Sequence, residues 1–238
     1  MAQITVTERN YNKNNLLYVQ NNISEFLTQI SGRIDLTQKG SRLELAVACD
    51  DKFSEIVQCE IADKLAEVVA INYKYDFFKK RVKLCGLKPV EFEILMASLI
   101  AADLDEDKRY AYVKLKGETD VAVDGLYNFR MQPLKRKWED IVSYVPQSFV
   151  NAQLKDFISY LLENKRKRVY VDCGKVYDSH YRLLKRSSLL GGEGVKIVRE
   201  ILLSNCGEIE LSGDLPKEDE YYIKEFYNDK IIFSGGFN

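Results

Sequence analysis

The last quarter of the chain alternates β-type and helical runs, and this alternation restricts the fold more than any other feature. Residues 168–173 and 176–183 have the composition of two strands joined at Gly174. A helix at 193–205, a strand at 208–211, a helix at 216–227 and a strand at 230–233 follow. Because strands that are connected through helices pair in parallel, this β-β-α-β-α-β order predicts a small α/β unit with a partly parallel sheet.

The N-terminal part has its own strand and helix signals. The patterns predict a strand at 3–8, a helix at 12–30 and strands at 33–37 and 42–49 around a turn at 38–41. Asp50 or Asp51 then caps a long amphipathic helix that reaches Tyr73 or beyond. The N-terminal part is therefore expected to form an α/β element that is followed by a long helix.

The middle of the chain is predicted to be helical. Pro89 and Pro133 each open a helix, since a proline costs no hydrogen bond at the first helical position. Asp124-Gly125 predicts a turn. Residues 110–116 fit either a helix or a strand, and both alternatives stay open. Together these patterns predict an α+β protein with an N-terminal α/β element, a helical middle and a small C-terminal α/β unit.

The expected domain boundary is the basic run Lys165-Arg166-Lys167-Arg168, where the strand and helix pattern changes. It divides the chain into residues 1–164, a mixed α/β and helical region, and residues 165–238, the C-terminal α/β unit. A chain of 238 residues is long enough for one large domain or two small ones.

Hydropathy and the cysteines indicate an intracellular protein. No apolar run approaches the ~18 residues of a membrane-spanning helix, and the N-terminus lacks the basic and apolar regions of a signal peptide. The five cysteines form no C-x-x-C pair, and there is one histidine. We therefore expect a cytoplasmic protein with reduced, mostly buried thiols and with no metal or cofactor.

Charge is unevenly distributed along the chain although the net charge is only −1. Residues 130–200 carry 15 basic and 8 acidic residues, whereas residues 201–238 carry 3 and 8. A basic region of this kind contacts polyanions if its side chains converge on one face. The predicted polyanion-contact residues are Lys135, Arg136, Lys137, Arg166, Lys167, Arg168, Lys185 and Arg186.

Three groups of residues contain types that are used in binding or catalysis, and none has the pattern that its chemistry needs. Gly191-Gly192-Glu193-Gly194 precedes a helix but has neither phosphate-loop nor dinucleotide spacing. On a strand, Asp178 and His180 share a face while Ser179 points away, so a catalytic trio does not form locally. The acidic run 103–107 lacks the glycine and the distal glutamate of a calcium-binding loop. No catalytic residue is assigned, and the sequence favours a protein that is not an enzyme.

Four segments resemble the YtxC-like sporulation protein family of endospore-forming bacteria. They are Ile61-Ala62-Asp63-Lys64-Leu65-Ala66 with Ile71-Asn72-Tyr73, Val123-Asp124-Gly125-Leu126-Tyr127-Asn128-Phe129-Arg130, Leu134-Lys135 with Trp138-Glu139-Asp140-Ile141-Val142, and Phe157-Ile158-Ser159-Tyr160-Leu161. The resemblance covers roughly residues 55–234; the chain is shorter than is usual for the family, and its end lacks the cysteine of some members. It implies a sporulation-linked cytoplasmic protein without an assigned activity, and it transfers no site residues.

Two functions follow as hypotheses. The first is a non-enzymatic interaction or regulatory protein of sporulation with an unknown protein partner. The second is a nucleic-acid-binding module that uses the basic region 130–200. Within 119–140, periodicity assigns Trp138 to a buried stripe with Leu134, Ile141 and Val142, but it leaves Phe129 and Arg130 unexplained.

Overall fold

The computed structural model describes residues 1–163, 165–192 and 194–233. It is a mixed α+β protein, as the sequence predicts. Three predicted features lie outside the described residues: Asn164 at the expected boundary, Glu193 in the glycine-rich loop, and the tail 234–238.

The elements follow the chain in this order. The first part contains β1 (Ala2–Arg9), α1 (Lys13–Gln29), β2 (Arg33–Lys39), β3 (Arg42–Cys49), α2 (Ser54–Glu67), a π-helical segment (Val68–Tyr73) and α3 (Lys74–Arg81). The middle contains α4 (Pro89–Ala101), α5 (Leu104–Leu115), β4 (Asp120–Ala122), α6 (Val123–Arg130), α7 (Gln132–Tyr144) and α8 (Asn151–Leu162). The last part contains β5 (Arg168–Asp172), β6 (Lys175–Tyr177), α9 (Lys196–Ser204), β7 (Glu208–Ser212), α10 (Lys217–Tyr227) and β8 (Ile231–Phe233).

The residues group into two compact units. The first contains Met1–Lys74 and Asp105–Ile141, and the second contains Tyr75–Leu104 and Val142–Asn238. Residues 165–238, predicted as a region of their own, therefore group with helices from earlier in the chain.

In the first unit the sheet has the strand order β2-β3-β1-β4. β3 pairs antiparallel with β1 and β2, and β4 pairs parallel with β1. Ile4, Val6 and Glu8 alternate along β1 onto its buried face. A carboxylate thus occupies a core position where the pattern calls for an apolar residue.

Of the two alternatives for residues 110–116, the structure shows the helix: residues 110–115 belong to α5, which begins at Leu104. Two expectations for the middle of the chain are corrected. Asp124-Gly125 is not a turn but lies within the first turn of α6. On α7, Leu134 and Trp138 are buried, whereas Ile141 and Val142 are only half-buried.

In the second unit the sheet has the order β6-β5-β7-β8, with β5, β7 and β8 parallel and β6 antiparallel to β5. This confirms the predicted β-β-α-β-α-β order and the partly parallel sheet. The second strand is shorter than expected, because β6 ends at Tyr177 and the chain to Leu183 forms a loop. Val169, Val171, Ile209 and Leu211 alternate onto the buried face of the sheet.

Among the described residues, no helix combines the length and the apolar character needed to cross a membrane. All five cysteines are free. Cys49 and Cys206 are buried as expected, but Cys85 and Cys173 are exposed, so the prediction of mostly buried thiols is wrong for these two.

Candidate functional site

The segment that carries the strongest family resemblance begins with a carboxylate that joins three elements. Asp124 of α6 accepts hydrogen bonds from Arg42 at 2.6 and 3.3 Å and from Nε of Arg9 at 3.0 Å. Hydrogen bonds from Arg42, and then from Arg9, lower the pKa of Asp124 below its ordinary value. A recess of about 630 Å³ lies beside the two arginines, but both guanidinium groups already bind this carboxylate. Asp124 therefore ties the ends of β1 and β3 to α6.

Trp138 belongs to a buried cluster around Asp107. The indole Nε1 donates to Oδ2 of Asp107 at 2.8 Å, and Nζ of Lys74 donates to the same oxygen at 2.7 Å. Lys74, Asp107 and Trp138 are all buried. Such a cluster is a polar network of the interior, since a buried charge persists only when it is paired.

Two of the three predicted contact residues of α7 have partners within the protein. Lys137 donates to Oδ1 of Asp107 at 2.9 Å and to Glu106 at 2.8 Å. The ammonium group of Lys135 lies 4.2 Å from the ring centre of Tyr127, in cation–π contact. Arg136 is exposed.

The other five predicted contact residues lie in the second unit. Arg168 pairs with Glu208 at 2.8 Å and with Glu210 at 3.5 Å, and Arg186 donates to the carbonyl of Leu203. Arg166, Lys167 and Lys185 are exposed. The eight residues thus fall into two groups, one in each unit, and their convergence on one face stays a prediction.

The first turn of α9, which follows the glycine-rich loop in sequence, is capped by a carboxylate of the protein. Oδ1 of Asp219 accepts hydrogen bonds from the backbone N–H groups of Ile197 at 2.9 Å and Val198 at 3.0 Å. These are the groups that would hold a phosphate at the start of a helix. A carboxylate of the protein's own therefore takes that place.

Asp178 organises a loop rather than orienting a histidine base. Its carboxylate accepts hydrogen bonds from the backbone N–H groups of His180 at 2.8 Å and Arg182 at 3.0 Å. Burial acts to raise the pKa of Asp178, but the hydrogen bonds from Arg182 and His180 bring it below its ordinary value. Within the described part of the chain, no group of three or more His, Cys, Asp or Glu side chains is placed to hold a metal.

Phe129 and Arg130, the two residues that periodicity leaves unexplained, line a recess next to β4. Phe129 is 82% exposed, and Nη1 of Arg130 donates to Glu118 at 2.6 Å. The recess has a volume of about 230 Å³, and its lining residues are Glu118, Asp120, Val121, Ala122, Gly125, Leu126, Phe129 and Arg130. We call it the Phe129 recess.

One side of the Phe129 recess is an open sheet edge. β4 is the last strand of the order β2-β3-β1-β4, and among the described residues no strand pairs with its other side. The carbonyl of Thr119 accepts from the N–H of Thr5 at 2.8 Å, so this residue faces β1. Because backbone groups alternate along a strand, the N–H and C=O of Asp120 point to the open side. The recess therefore combines an exposed aromatic ring with unpaired strand groups.

Comparisons with protein-family models, with curated proteins and with solved structures give no significant match to this chain.

Proposed function

We propose that this chain is a non-enzymatic interaction protein of the cytoplasm, linked to sporulation, that binds an extended segment of a partner protein in the Phe129 recess. The observation that carries the proposal is the 82% exposure of Phe129 beside a free strand edge. Phe129 also lies in the segment with the clearest resemblance to the sporulation family.

The physical basis is strand addition. A free edge offers N–H and C=O groups to an added strand, and natural proteins usually cover or charge such edges. An aromatic ring at the same place gives the added segment an apolar contact, and aromatic residues are prominent among those that dominate binding energy. Leu126 supplies further apolar surface in the recess.

Charge at the recess indicates the chemistry of the partner segment. Asp120 is exposed, and Arg130 pairs with Glu118, whose side chain is 39% exposed. The carboxylate of Asp120 stays available for a cation. The partner segment is thus expected to carry an apolar residue that packs on Phe129 and a Lys or Arg next to it.

The use of three carboxylates by the protein itself supports the non-enzymatic part of the proposal. Asp107, Asp178 and Asp219 bind groups of the protein's own, as described above. General acid–base chemistry needs a group within reach of a substrate. None of these three carboxylates lines the Phe129 recess.

The test compares Phe129→Ala with the control Tyr160→Ala, which removes a ring that is 70% exposed and lies outside the recess. Proteins captured from sporulating cells are quantified with each variant, and each candidate partner is then purified for a direct binding assay. Phe129→Ala is expected to weaken the partner about tenfold or more, and Asp120→Lys to weaken it as well, while the control binds like the parent. Equal affinity of the Phe129→Ala variant and the parent contradicts the docking site.

The proposed link to sporulation is tested separately in the host. Deleting the gene is expected to reduce spore yield or delay sporulation, and a gene copy with Phe129→Ala is expected not to restore it. Normal spore yield and timing after deletion contradict the link to sporulation, whatever the binding assay gives.

A further inference from the structure

The sheet of the second unit has one face that the helices leave open. Two parallel connections, β5-α9-β7 and β7-α10-β8, run in the same direction across the sheet. Since such connections are right-handed, α9 and α10 lie on the same side. The residues that alternate onto the other side are Arg168, Tyr170, Asp172, Lys175, Tyr177, Glu208 and Glu210. We call this side the open face.

Three tyrosines meet on the open face. Tyr170 of β5 stands opposite Tyr177 of β6 in the antiparallel register. The ring of Tyr181, from the loop after β6, stacks on Tyr170 with the ring centres 4.6 Å apart and the planes 25° apart. Tyr181 is 57% exposed, so more than half of its surface is open to solvent.

The loop is built to hold Tyr181 in place. Tyr181 has a φ of +58°, a conformation that is uncommon for residues other than glycine. Asp178 stabilises it, since its carboxylate accepts from the N–H groups of His180 and Arg182 on either side, and its carbonyl accepts from the N–H of Tyr181 at 3.0 Å. The hydrogen bonds of Asp178 therefore fix the backbone position of Tyr181.

The segment of the chain that carries Tyr170, Tyr177 and Tyr181 is basic in sequence. Residues 165–186 contain eight basic and two acidic residues. The carboxylates of Glu208 and Glu210, on the adjacent strand, are paired with Arg168. The exposed basic residues of the segment are Arg166, Lys167, Lys175, Arg182 and Lys185. The tyrosines are therefore flanked in the chain by cations on both sides.

We propose that the open face binds single-stranded nucleic acid, with bases stacked on Tyr181 and its neighbours and phosphates on the flanking cations. Aromatic rings with basic residues around them are the usual means of binding unpaired bases, because every base has a face for stacking. A duplex hides those faces, so single strands are preferred. This site uses residues apart from the Phe129 recess, so either proposal can fail alone.

The first test measures the binding of fluorescent 12-residue oligo(U) and oligo(dT) to the full chain by anisotropy at 50 mM salt. Tyr181→Ala is expected to weaken binding about tenfold, and Tyr181→Phe to keep it. The matched control is Tyr221→Ala, which removes a ring that is 56% exposed in the same unit and packs edge-on against Tyr222 at 4.9 Å. Circular dichroism confirms that each variant is folded. The ratio of the two affinities shows whether RNA or DNA is preferred.

The second test uses charge. Log affinity against log salt is expected to fall with a slope of about −0.7 for each phosphate contacted, hence about −2 to −3 for three or four contacts. Lys167→Glu with Lys175→Glu should lower both the affinity and the slope, whereas Lys217→Glu, at the start of α10, should change neither.

Four outcomes would overturn the proposal: no binding at 50 mM salt, equal binding of Tyr181→Ala and the parent, equal affinity for duplex DNA, and loss of binding in Tyr181→Phe. An arginine-rich peptide that binds the open face more tightly than either oligonucleotide would also overturn it, because the face would then recognise basic protein segments.

Discussion

Buried Asp107 of the first unit accepts hydrogen bonds from side chains, whereas buried Glu200 and Asp219 of the second unit accept hydrogen bonds from backbone N–H groups. Asp107 binds the ammonium group of Lys74 and the indole of Trp138. By contrast, Glu200 accepts from the N–H groups of Arg186 and Ser187 at 2.9 and 2.6 Å, and Asp219 accepts from the start of α9. Burial raises the pKa of both Glu200 and Asp219.

These two modes of binding predict different losses of stability when the carboxylate is removed. Deleting one member of a buried ion pair leaves the other charge uncompensated in the interior. Deleting a carboxylate that caps backbone groups leaves only neutral N–H groups without partners, which costs less. The first unit should therefore be more sensitive to the loss of one carboxylate than the second.

The largest effect is expected for Asp107→Ala. It removes the carboxylate that binds the buried ammonium group of Lys74 and should lower the free energy of unfolding by about 3–5 kcal/mol. Urea unfolding followed by the fluorescence of Trp138, the single tryptophan, measures this in the first unit. The matched control is Asp105→Ala, an exposed position on the same helix, which should change stability by less than about 0.5 kcal/mol. Similar values for the two variants would remove the contrast.

The next effect is expected for Asp219→Ala, which leaves two N–H groups of α9 unpaired. We expect a loss of about 1–2 kcal/mol and faster hydrogen exchange at Ile197 and Val198. Asp219→Asn keeps an acceptor oxygen and should lose less. Glu218→Ala, its exposed neighbour on α10, serves as the control. A loss as large as that of Asp107→Ala would show that both units depend on their buried carboxylates to the same degree.

A smaller, pH-dependent effect is expected at Glu8. Burial raises its pKa above the ordinary 4.5, while Tyr73, Arg9 and Asn15 donate hydrogen bonds that oppose the rise. The folded chain thus holds this proton more tightly than the unfolded chain. Glu8 therefore makes folding less favourable as pH rises from about 4.5 through the folded-state pKa.

Glu8→Gln should remove this contribution. Comparing urea unfolding at pH 5 and pH 7.5, the variant is expected to show less loss of stability at the higher pH than the parent. An unchanged pH dependence would mean that Glu8 ionises equally in both states.

The smallest effect is expected for Arg130→Ala. It breaks the ion pair with Glu118, whose side chains are both exposed, and exposed pairs contribute about 0–1 kcal/mol. Thermal unfolding should shift little, and less still at high salt. A loss above about 2 kcal/mol would contradict the view that side-chain pairing matters in this unit only where it is buried.

The local pattern of apolar and polar residues was sufficient to predict the strands of the second sheet, but it was not sufficient to predict parts of the first unit. In β5 and β7, neighbouring positions alternate between buried and open faces, and this alternation is visible in the sequence. The acidic residues in the first turn of α5 made this part of the helix look like a charged loop in the sequence. Asp107 is buried there because of Lys74, which lies 33 positions away. Likewise, Asp124 looks like a turn residue until Arg9, 115 positions away, is known to bind it.

The candidate sites were predicted only in part. The sequence singled out Phe129 because helical periodicity did not explain it. The structure shows that its side chain is exposed, and the proposed function rests on this exposure. Tyr181 gave no such signal, since it lies in a segment predicted to be a strand and its stacking on Tyr170 depends on the loop that Asp178 forms. Contacts made by loops depend on backbone conformations that residue composition does not specify.

The π-helical segment Val68–Tyr73 makes chain length itself a requirement of the first unit. Two neighbouring residues at its end make contacts in different directions: Tyr73, its last residue, donates to Glu8 at 2.6 Å, and Lys74, the first residue of α3, donates to Asp107. An α-helix turns about 100° per residue. Removing one residue between 68 and 73 would restore ordinary helical spacing and rotate one contact away from its partner. A one-residue deletion here should therefore disturb the unit more than most substitutions, although it removes no charged group.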